Sequence, residues 1–346
     1  MNEQSNTSVS AVPVSAQSLR SLRIKHTRIA QVMSELDTLI YPGSQDSILL
    51  VCGPTGVGKS TLALQLVQMA LAGASAQMEA NAGLIPAVYV QAPASGENDF
   101  SWTSFYQRIL DQLSGDLDLP KVAYGVDANT GRAVWPKGAS RNTLAALRTA
   151  VERGLRERGT RFLVIDEAAH IIRQTRRNRL EIQLDTLKSL ANECGTQMVL
   201  IGSYDLYQLV SLSGQLARRT HVLHFERYRQ DQDADLRAFR ACVLKFQAAL
   251  PELWGDQLLP HAEVLQENTL GCVGTLSSVL MRAAMLAQQT GGWSVDALQR
   301  ALLTDAQRQR ILEEILEGEA AINAGLTRHI LKVPASRSRV QKRGIA

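Results

Sequence analysis

The chain has 346 residues, of which 45% are apolar and 20% charged, an ordinary composition for a globular protein with one large core or two smaller ones. Its formal net charge of +4 excludes a strong overall attraction to polyanions, so the placement of the basic residues is more informative than their number. The four cysteines are scattered and have neither metal-site nor disulfide spacing, which favours a reducing compartment.

The start of the chain is polar and lacks hydrophobic periodicity. Residues 1–18 are therefore predicted to be a disordered N-terminus and not a signal peptide. No apolar run in the chain reaches the roughly 18 residues of a membrane span, so we expect a cytoplasmic protein with no membrane partner. From Leu19 to Ile40, apolar residues recur at helical spacing, which predicts an amphipathic lead-in helix that ends before Tyr41-Pro42-Gly43.

Residues 53–60 have the complete G-x-x-x-x-G-K-[ST] pattern of a phosphate-binding loop, between an apolar run at 48–52 and a helical segment from residue 61. The glycines allow backbone N–H groups to face an anion at the positive end of the following helix. Lys59 is expected to reach the β- and γ-phosphates, and the Ser60 hydroxyl to ligate Mg²⁺. The alternative is a glycine turn with a solvated lysine. We predict an ATP site formed by Gly53, Pro54, Thr55, Gly56, Val57, Gly58, Lys59, Ser60 and Thr61.

Downstream of this loop, short apolar runs alternate with segments of helical pattern. The runs predict strands at 87–90, 162–165, 198–201 and 222–225. Helices are predicted at 100–113, with Asp99 or Ser101 as the cap, and at 141–158 and 180–194. Residues 114–140 are interpreted as a long loop or hairpin insertion. Strands that alternate with helices predict an α/β fold whose parallel sheet is covered on both faces.

Two carboxylates, Asp166 and Glu167, directly follow the third predicted strand. Open α/β sheets bind ligands at the carboxyl ends of their strands, so this strand brings both acids toward the phosphate loop. Asp166 is expected to hold Mg²⁺, directly or through water, and Glu167 to polarise a water for attack on the γ-phosphate. The alternative is a strand that simply meets solvent. The phosphate loop about a hundred residues earlier favours the catalytic interpretation, and the tandem acids favour hydrolysis.

Further polar residues are predicted at the same edge. Ser203 ends the fourth strand, beside the phosphate-loop strand, and is a candidate to hydrogen-bond the γ-phosphate or the attacking water. The equally weighted alternative is a serine that caps the next helix. Arg218 and Arg219 precede the fifth strand. Because negative charge develops on the γ-phosphate during hydrolysis, one of them is a candidate to act in a neighbouring subunit's site; the alternative is two solvated arginines.

From Glu226 onward strand patterns stop, and helices are predicted at 232–249, 258–265, 275–289 and 295–303. This change predicts an α/β nucleotide-binding domain over 19–225 and a small all-α lid domain over 226–310. Residues 311–346 are predicted to be a helical segment with a basic C-terminal tail. The tail is either solvated or grips DNA or an acidic partner through Arg328, Lys332, Arg337, Arg339, Lys342 and Arg343.

Basic residues outside the tail are also candidates to contact DNA. Arg173, Arg176 and Arg177 follow the two acids closely, where contact with backbone phosphates would be coupled to ATP turnover. The alternative is a solvated loop whose arginines pair with Glu181 or Asp185. The 114–140 insertion supplies a second, weaker set. It consists of Lys121, Arg132 and Lys137. Without a helix-turn-helix or zinc-finger pattern, we predict DNA binding with little sequence preference.

The combination of these motifs resembles that of AAA+ ATPases. The resemblance is carried by the phosphate loop, the Asp166-Glu167 pair, Ser203, the arginines at 218–219 and the helical lid. Within that class the chain is similar to the TnsC/TniB group of transposition regulators, over roughly residues 19–305. This closer similarity rests on the lead-in helix and on segments 87–93, 166–170, 200–203 and 225–228. Two features differ: a serine at 203 where Asn or Thr is commoner, and a lid segment, 271–276, without a Gly-Ala-Arg motif, although Arg282 follows.

The resemblance implies an AAA+ P-loop parallel sheet flanked by helices and followed by an all-α lid, with ATP and Mg²⁺ bound between subunits of a homo-oligomer. It also implies assembly on double-stranded DNA as a ring or helical filament. A transposase and a target-selection protein are the implied partners. Hydrolysis of ATP to ADP and phosphate would control disassembly.

Two other functions fit part of the pattern. A nucleotide-switched AAA+ ATPase of signalling or secretion would share the site and ignore nucleic acid. A small-molecule kinase would share the phosphate loop, but the Asp166-Glu167 pair, the helical lid and the chain length argue against it.

Overall fold

A computed structural model of the protein describes residues 19, 22, 24–41, 47–94, 99–114, 125–126, 133–134, 143–174, 180–210 and 220–322. Its centre is a five-stranded parallel sheet, and a separate two-stranded antiparallel ladder lies inside the predicted insertion. The strands, in chain order, are β1 (Ile48–Cys52), β2 (Ala87–Gln91), β3 (Gly125–Val126), β4 (Ala133–Val134), β5 (Phe162–Asp166), β6 (Gln197–Gly202) and β7 (Thr220–His224).

The strands of the large sheet lie in the order β2-β5-β6-β1-β7, and every neighbouring pair is parallel. Strands β1, β5 and β6 are buried along their whole length, as expected for apolar runs in a sheet covered on both faces. The register places Cys52 beside Gly202, and Gln91 beside Asp166. All five carboxyl ends therefore share one edge, and the fourth predicted strand lies beside the phosphate-loop strand, as predicted.

Helices cover both faces of this sheet. The helices up to β7 are α1 (Thr27–Leu39), α2 (Lys59–Gly73), α3 (Ser75–Ala80), α4 (Trp102–Ser114), α5 (Leu144–Glu157), α6 (Ala169–Arg173) and α7 (Leu180–Cys194), with a 3₁₀ helix at Tyr204–Leu209. Residues of α1 and α2 pack with Leu49 and Val164 on one face, and residues of α4, α5 and α7 pack with Leu50 and Leu163 on the other. The Ser101 hydroxyl accepts the N–H of Ser104 at 3.4 Å, so one of the two predicted caps is present at α4.

The chain after β7 is helical. Its elements are α8 (Asp233–Ala249), α9 (Pro251–Trp254), a 3₁₀ helix (Leu259–His261), α10 (Ala262–Asn268), α11 (Val273–Gln289), α12 (Val295–Ala301) and α13 (Asp305–Ile322). They enclose a separate core around Phe239, Trp254 and Leu280. Leu19 and Ile24 are buried in this core, although both precede the sheet in sequence. The lead-in segment therefore contacts the helical part as well as the sheet.

Helix α13 runs back from the helical part to the sheet. Ile322, at its end, packs against the core formed with α4, α5 and α7. Gly318 packs directly against the ring of Tyr204. A Cβ atom at position 318 would be only 2.0 Å from that ring, so there is no space for a side chain. Glu319 is 2% exposed and accepts a hydrogen bond from Arg227 Nε at 2.9 Å. This buried ion pair ties α13 to the segment that leaves β7.

Within the described ranges, no single helix is both long and apolar enough to cross a membrane. The segments Leu259–Asn268 and Val273–Gln289 would qualify together by length and composition, but they meet at a bend of 119°.

The close contact between α13 and Tyr204 leads to a stability prediction. Gly318→Ala is expected to lower the free energy of unfolding by about 1–3 kcal/mol, because the added methyl group forces the helix off the tyrosine ring. Urea denaturation followed by circular dichroism measures this change. Gly73→Ala is the matched control, since a Cβ atom on this helical glycine meets nothing within 4 Å. An equal effect of both substitutions would contradict the predicted contact.

Candidate functional site

The phosphate loop occupies the turn between β1 and α2, where the sequence predicted it. Gly56 and Gly58 have φ values of 80° and 115°, in the region that favours glycine, and α2 begins at the next residue, Lys59. Gly53 N–H donates to the carbonyl of Gly202 at 3.3 Å, which fixes the start of the loop to the end of β6. The loop is thus placed by the sheet and opens at the N-terminus of a 15-residue helix, an arrangement suited to an anion.

The amine of Lys59 lies at the centre of this loop. Its Nζ donates to the carbonyl oxygens of Gly53 at 3.0 Å and Pro54 at 2.8 Å. Burial lowers the pKa of Lys59, and the nearby carboxylates of Glu167, Asp166 and Glu314 oppose that shift. The lysine and the predicted Asp-Glu pair are therefore close enough to interact electrostatically.

Asp166 is held by two donors at the carboxyl end of β5. The side chain is 2% exposed; its Oδ1 accepts the N–H of Glu167 at 2.9 Å, and its Oδ2 accepts the hydroxyl of Tyr89 at 3.1 Å. Glu167 has φ of 52°, an uncommon conformation for a residue other than glycine. Such backbone strain is concentrated at functional sites. Tyr89 was not predicted from the sequence, although its position on the neighbouring strand follows from the topology.

Ser203 lies at the same edge, directly after β6, and is 8% exposed. Its hydroxyl donates to Asp205 Oδ2 at 3.1 Å and accepts from Arg173 Nη2 at 3.1 Å. The residue occupies the position before the 3₁₀ helix, but its side chain makes no capping hydrogen bond. The geometry thus gives no support to the capping alternative and links Ser203 to Arg173, which follows the Asp166-Glu167 pair.

Arg173 belongs to the predicted DNA-contacting set. Its Nε donates to Asp205 Oδ2 at 2.5 Å, in addition to the contact with Ser203. The side chain nevertheless remains 52% exposed, so an external phosphate can still approach it. DNA contact by Arg173 stays a prediction.

The remaining predicted cations lie outside the described residues. They are the arginine-finger candidates Arg218 and Arg219 and the DNA candidates Lys121, Arg132, Lys137, Arg176 and Arg177.

Helix α11 contacts the phosphate loop through backbone. Thr275 N–H donates to the carbonyl of Gly56 at 2.9 Å. A Cβ atom on Gly274 would be 2.6 Å from that same carbonyl oxygen, so this position has room only for glycine. The segment that lacks a Gly-Ala-Arg motif therefore reaches the site with main-chain atoms, while Arg282, farther along α11, is exposed.

Aromatic and polar side chains from distant segments surround the far side of the loop. His26 Nε2 and Phe225 Cζ each lie 3.9 Å from where a Cβ atom on Gly58 would be. The His26 ring stacks with Phe225 at a centroid distance of 6.1 Å, and its Nδ1 is 3.0 Å from the Tyr228 hydroxyl. Burial lowers the pKa of His26 to about 4, so the imidazole is neutral at neutral pH. Sequence reasoning missed this group because its members are about 200 residues apart and form no motif.

Helix α13 adds an acidic side chain to the edge of the site. Thr55 Oγ1 donates to Glu314 Oε1 at 3.3 Å, from the third position of the phosphate loop. Beside this contact, a cavity of about 530 Å³ is lined by residues of α13 and of the 3₁₀ helix at Tyr204–Leu209. Its charged lining includes Arg173, Asp205, Arg310, Glu314 and Glu317.

A protein-family model described as an AAA domain matches residues 42–210. The match contains the phosphate loop, the Asp166-Glu167 pair and Ser203. Residues 42–210 are therefore similar to AAA domains. The AAA+ part of the predicted resemblance and the predicted α/β P-loop fold are confirmed. The closer similarity to transposition regulators stays a prediction.

Three solved structures are similar to this chain over most of its length. The ORC2 protein of Aeropyrum pernix has a TM-score of 0.54 and 18% identity, over 81% of this chain and 68% of that one. A Walker-type ATPase of Pyrococcus abyssi has a TM-score of 0.48 and 14% identity, over 90% of this chain and 79% of that one. Domain III of the Thermotoga maritima replication initiation protein DnaA has a TM-score of 0.45 and 13% identity, over 84% of this chain and 97% of that one. None of the curated proteins matches the sequence.

The acidic contact at the AAA domain's phosphate loop leads to a second prediction. Glu314→Gln is expected to tighten ATP binding about threefold, because it removes a negative charge beside Thr55 and Lys59 that repels the triphosphate. Titration with a fluorescent ATP analogue at low salt measures the change. Glu313→Gln is the control, since it removes the same charge from the exposed neighbouring position of α13. Equal affinities of the two variants would contradict the prediction.

Proposed function

We propose that the protein is a Mg²⁺-dependent ATPase that assembles through its AAA domain on duplex DNA in the cytoplasm and regulates DNA transposition. The observation that carries the ATPase part is the convergence of Lys59, Asp166-Glu167 and Ser203 at one edge of the sheet. The similar ORC2 structure is described as complexes with ADPNP and ADP, and we propose adenine nucleotides as ligands here as well.

In the proposed mechanism, the loop N–H groups and Lys59 bind the β- and γ-phosphates. Asp166 and Ser60 fit a Mg²⁺ ion, because a buried carboxylate and a hydroxyl are hard oxygen ligands beside the phosphate loop. The ion would neutralise charge on the phosphate oxygens. Glu167 takes a proton from the attacking water. The oxygen of that water bonds to the γ-phosphorus as the bond between the γ-phosphorus and the bridging oxygen of ADP breaks. Ser203 orients the water or the γ-phosphate, and Arg218 or Arg219 of a neighbouring subunit offsets the developing charge.

The DNA part of the proposal rests on the basic residues after the catalytic acids and on the resemblance to transposition regulators. Helix α6 starts three residues after Asp166 and ends at Arg173. Contact of this segment with DNA phosphates would therefore change the position of Ser203 through the Arg173–Ser203 hydrogen bond. We propose a homo-oligomeric ring or filament on DNA that recruits a transposase and receives its position from a target-selection protein. Hydrolysis would then release the assembly.

One observation favours a second function. Arg173 already donates hydrogen bonds to Ser203 and Asp205, so this arginine has partners within the protein that need no nucleic acid. The alternative proposal is a nucleotide-switched AAA+ ATPase of signalling or secretion.

Assembly on DNA separates the two proposals. Negative-stain microscopy with duplex DNA and a slowly hydrolysed ATP analogue is expected to show rings or filaments only when both ligands are present. DNA affinity is expected to fall steeply with salt, and Arg176→Ala/Arg177→Ala to weaken it and to reduce the salt slope. Arg153→Ala, which removes an exposed arginine from α5, is the control. Discrete particles that ignore DNA would support the signalling alternative.

The catalytic roles are tested by substitutions at the site. Lys59→Ala is expected to abolish ATP binding, and Glu167→Gln to retain binding while turnover falls by about 10²-fold or more and assemblies persist longer. Phosphate release and nucleotide binding are the measurements. Lys188→Ala and Glu181→Gln, both on α7, are charge-matched controls. Tight ATP binding by Lys59→Ala would contradict the assignment of residues 53–61 as the ATP site. Normal turnover by Glu167→Gln would contradict the proposed role of Glu167 as the general base.

The trans-acting arginine is tested by mixing subunits. If Arg218 or Arg219 acts across an interface, its alanine variant alone is expected to be inactive but to regain turnover when mixed with Lys59→Ala subunits, because the mixed interface holds one intact site. If neither variant loses turnover, the arginine that completes the site lies elsewhere.

A further inference from the structure

Tyr89 stands beside the predicted metal ligand because of strand register. In the pairing of β2 with β5, Tyr89 lies opposite Val164, two residues before Asp166. Alternate residues of a strand share a face, so Tyr89, Val164 and Asp166 are on the same side of the sheet. Tyr89 packs at the edge of the core formed with α1 and α2, and α2 is the helix that begins at Lys59. The tyrosine therefore reaches Asp166 from the face that carries the phosphate loop.

The two hydrogen bonds on Asp166 end on different oxygens. Tyr89 Oη donates to Oδ2 at 3.1 Å, and Glu167 N–H donates to Oδ1 at 2.9 Å. Two donors on opposite oxygens restrict rotation of the carboxylate about its Cβ–Cγ bond. Each oxygen still has a free lone pair, because an ionised carboxylate offers about four acceptor positions. The plane of the group is thus fixed while acceptor capacity remains.

We propose that Tyr89 is a positioning residue that holds the Asp166 carboxylate in the orientation needed for the cation of a bound Mg²⁺–nucleotide. This inference rests on the proposed ATPase function and assigns it a residue from outside the motifs. Partners of this type orient metal ligands, and their loss typically lowers metal affinity or activity 10- to about 100-fold.

A purely structural hydrogen bond would give a different result from a positioning one. If Tyr89 only satisfied a buried carboxylate, its loss would lower thermal stability and leave the magnesium requirement unchanged. If Tyr89 positions Asp166, its loss shifts the magnesium requirement and leaves binding of metal-free nucleotide unchanged.

The test is a magnesium titration of wild type, Tyr89→Phe and Tyr106→Phe with a fluorescent ATP analogue, alongside binding in EDTA. Tyr89→Phe is expected to raise the half-saturating Mg²⁺ concentration about tenfold, while affinity in EDTA stays within about twofold. At saturating Mg²⁺, kcat is expected to approach the wild-type value. Tyr106→Phe, whose buried ring packs on the opposite face of the sheet, is expected to match wild type. An unchanged Mg²⁺ midpoint in Tyr89→Phe would overturn the inference.

A double-mutant cycle with Asp166→Asn checks that the effect passes through the carboxylate. In the Asp166→Asn background, Tyr89→Phe is expected to cause no further shift in the Mg²⁺ midpoint. A full additional shift would mean that Tyr89 acts by another route and would overturn the inference. Failure of the proposed function is detected separately, in the wild-type protein. If the wild type binds nucleotide equally well with and without Mg²⁺ and does not hydrolyse ATP, both the proposed ATPase function and the inference about Tyr89 are wrong.

Discussion

The close approach of other segments to the glycines of the phosphate loop is the constraint on which the rest of the site depends. A Cβ atom on Gly53 would be 2.5 Å from the Phe225 carbonyl oxygen, and one on Gly56 would be 2.0 Å from Thr275 Oγ1. The loop is therefore confined between the end of β7 and the start of α11, with no space for a side chain at position 53 or 56. This confinement joins the sheet and the helical part at the phosphate loop, so Gly274 of α11 shapes the loop together with the loop's own glycines.

The second layer of the site is built from groups that hold each other's orientation. Asp166 receives donors from β2 and from its own neighbour, and Ser203 is held between Arg173 and Asp205. Both arrangements form close to the ends of the strands, because the parallel register brings the carboxyl ends of β2, β5 and β6 together. The candidate site is thereby built on strand ends, which hold side chains more precisely than loops do.

The sequence alone was sufficient for the fold class and for those parts of the site that are local in the chain. The phosphate loop and the Asp166-Glu167 pair each have a contiguous pattern, and alternating apolar runs predicted the parallel sheet. Tyr89 and Glu314 could not be predicted in this way, because their contacts span 77 and 259 residues. The predicted boundary at residue 310 falls inside α13. Apolar periodicity does not reveal this helix, because its buried face includes a glycine and a glutamate, Gly318 and Glu319.

The buried pair of Arg227 and Glu319 has a consequence for how this sequence can change. Both side chains are at least nine-tenths buried, so loss of either leaves an uncompensated charge inside the protein. A single substitution at either position is therefore expected to lower stability, whereas simultaneous replacement of both by apolar residues of similar volume is expected to be tolerated. The two positions are 92 residues apart, in α13 and in the segment after β7, yet we expect them to vary together during evolution.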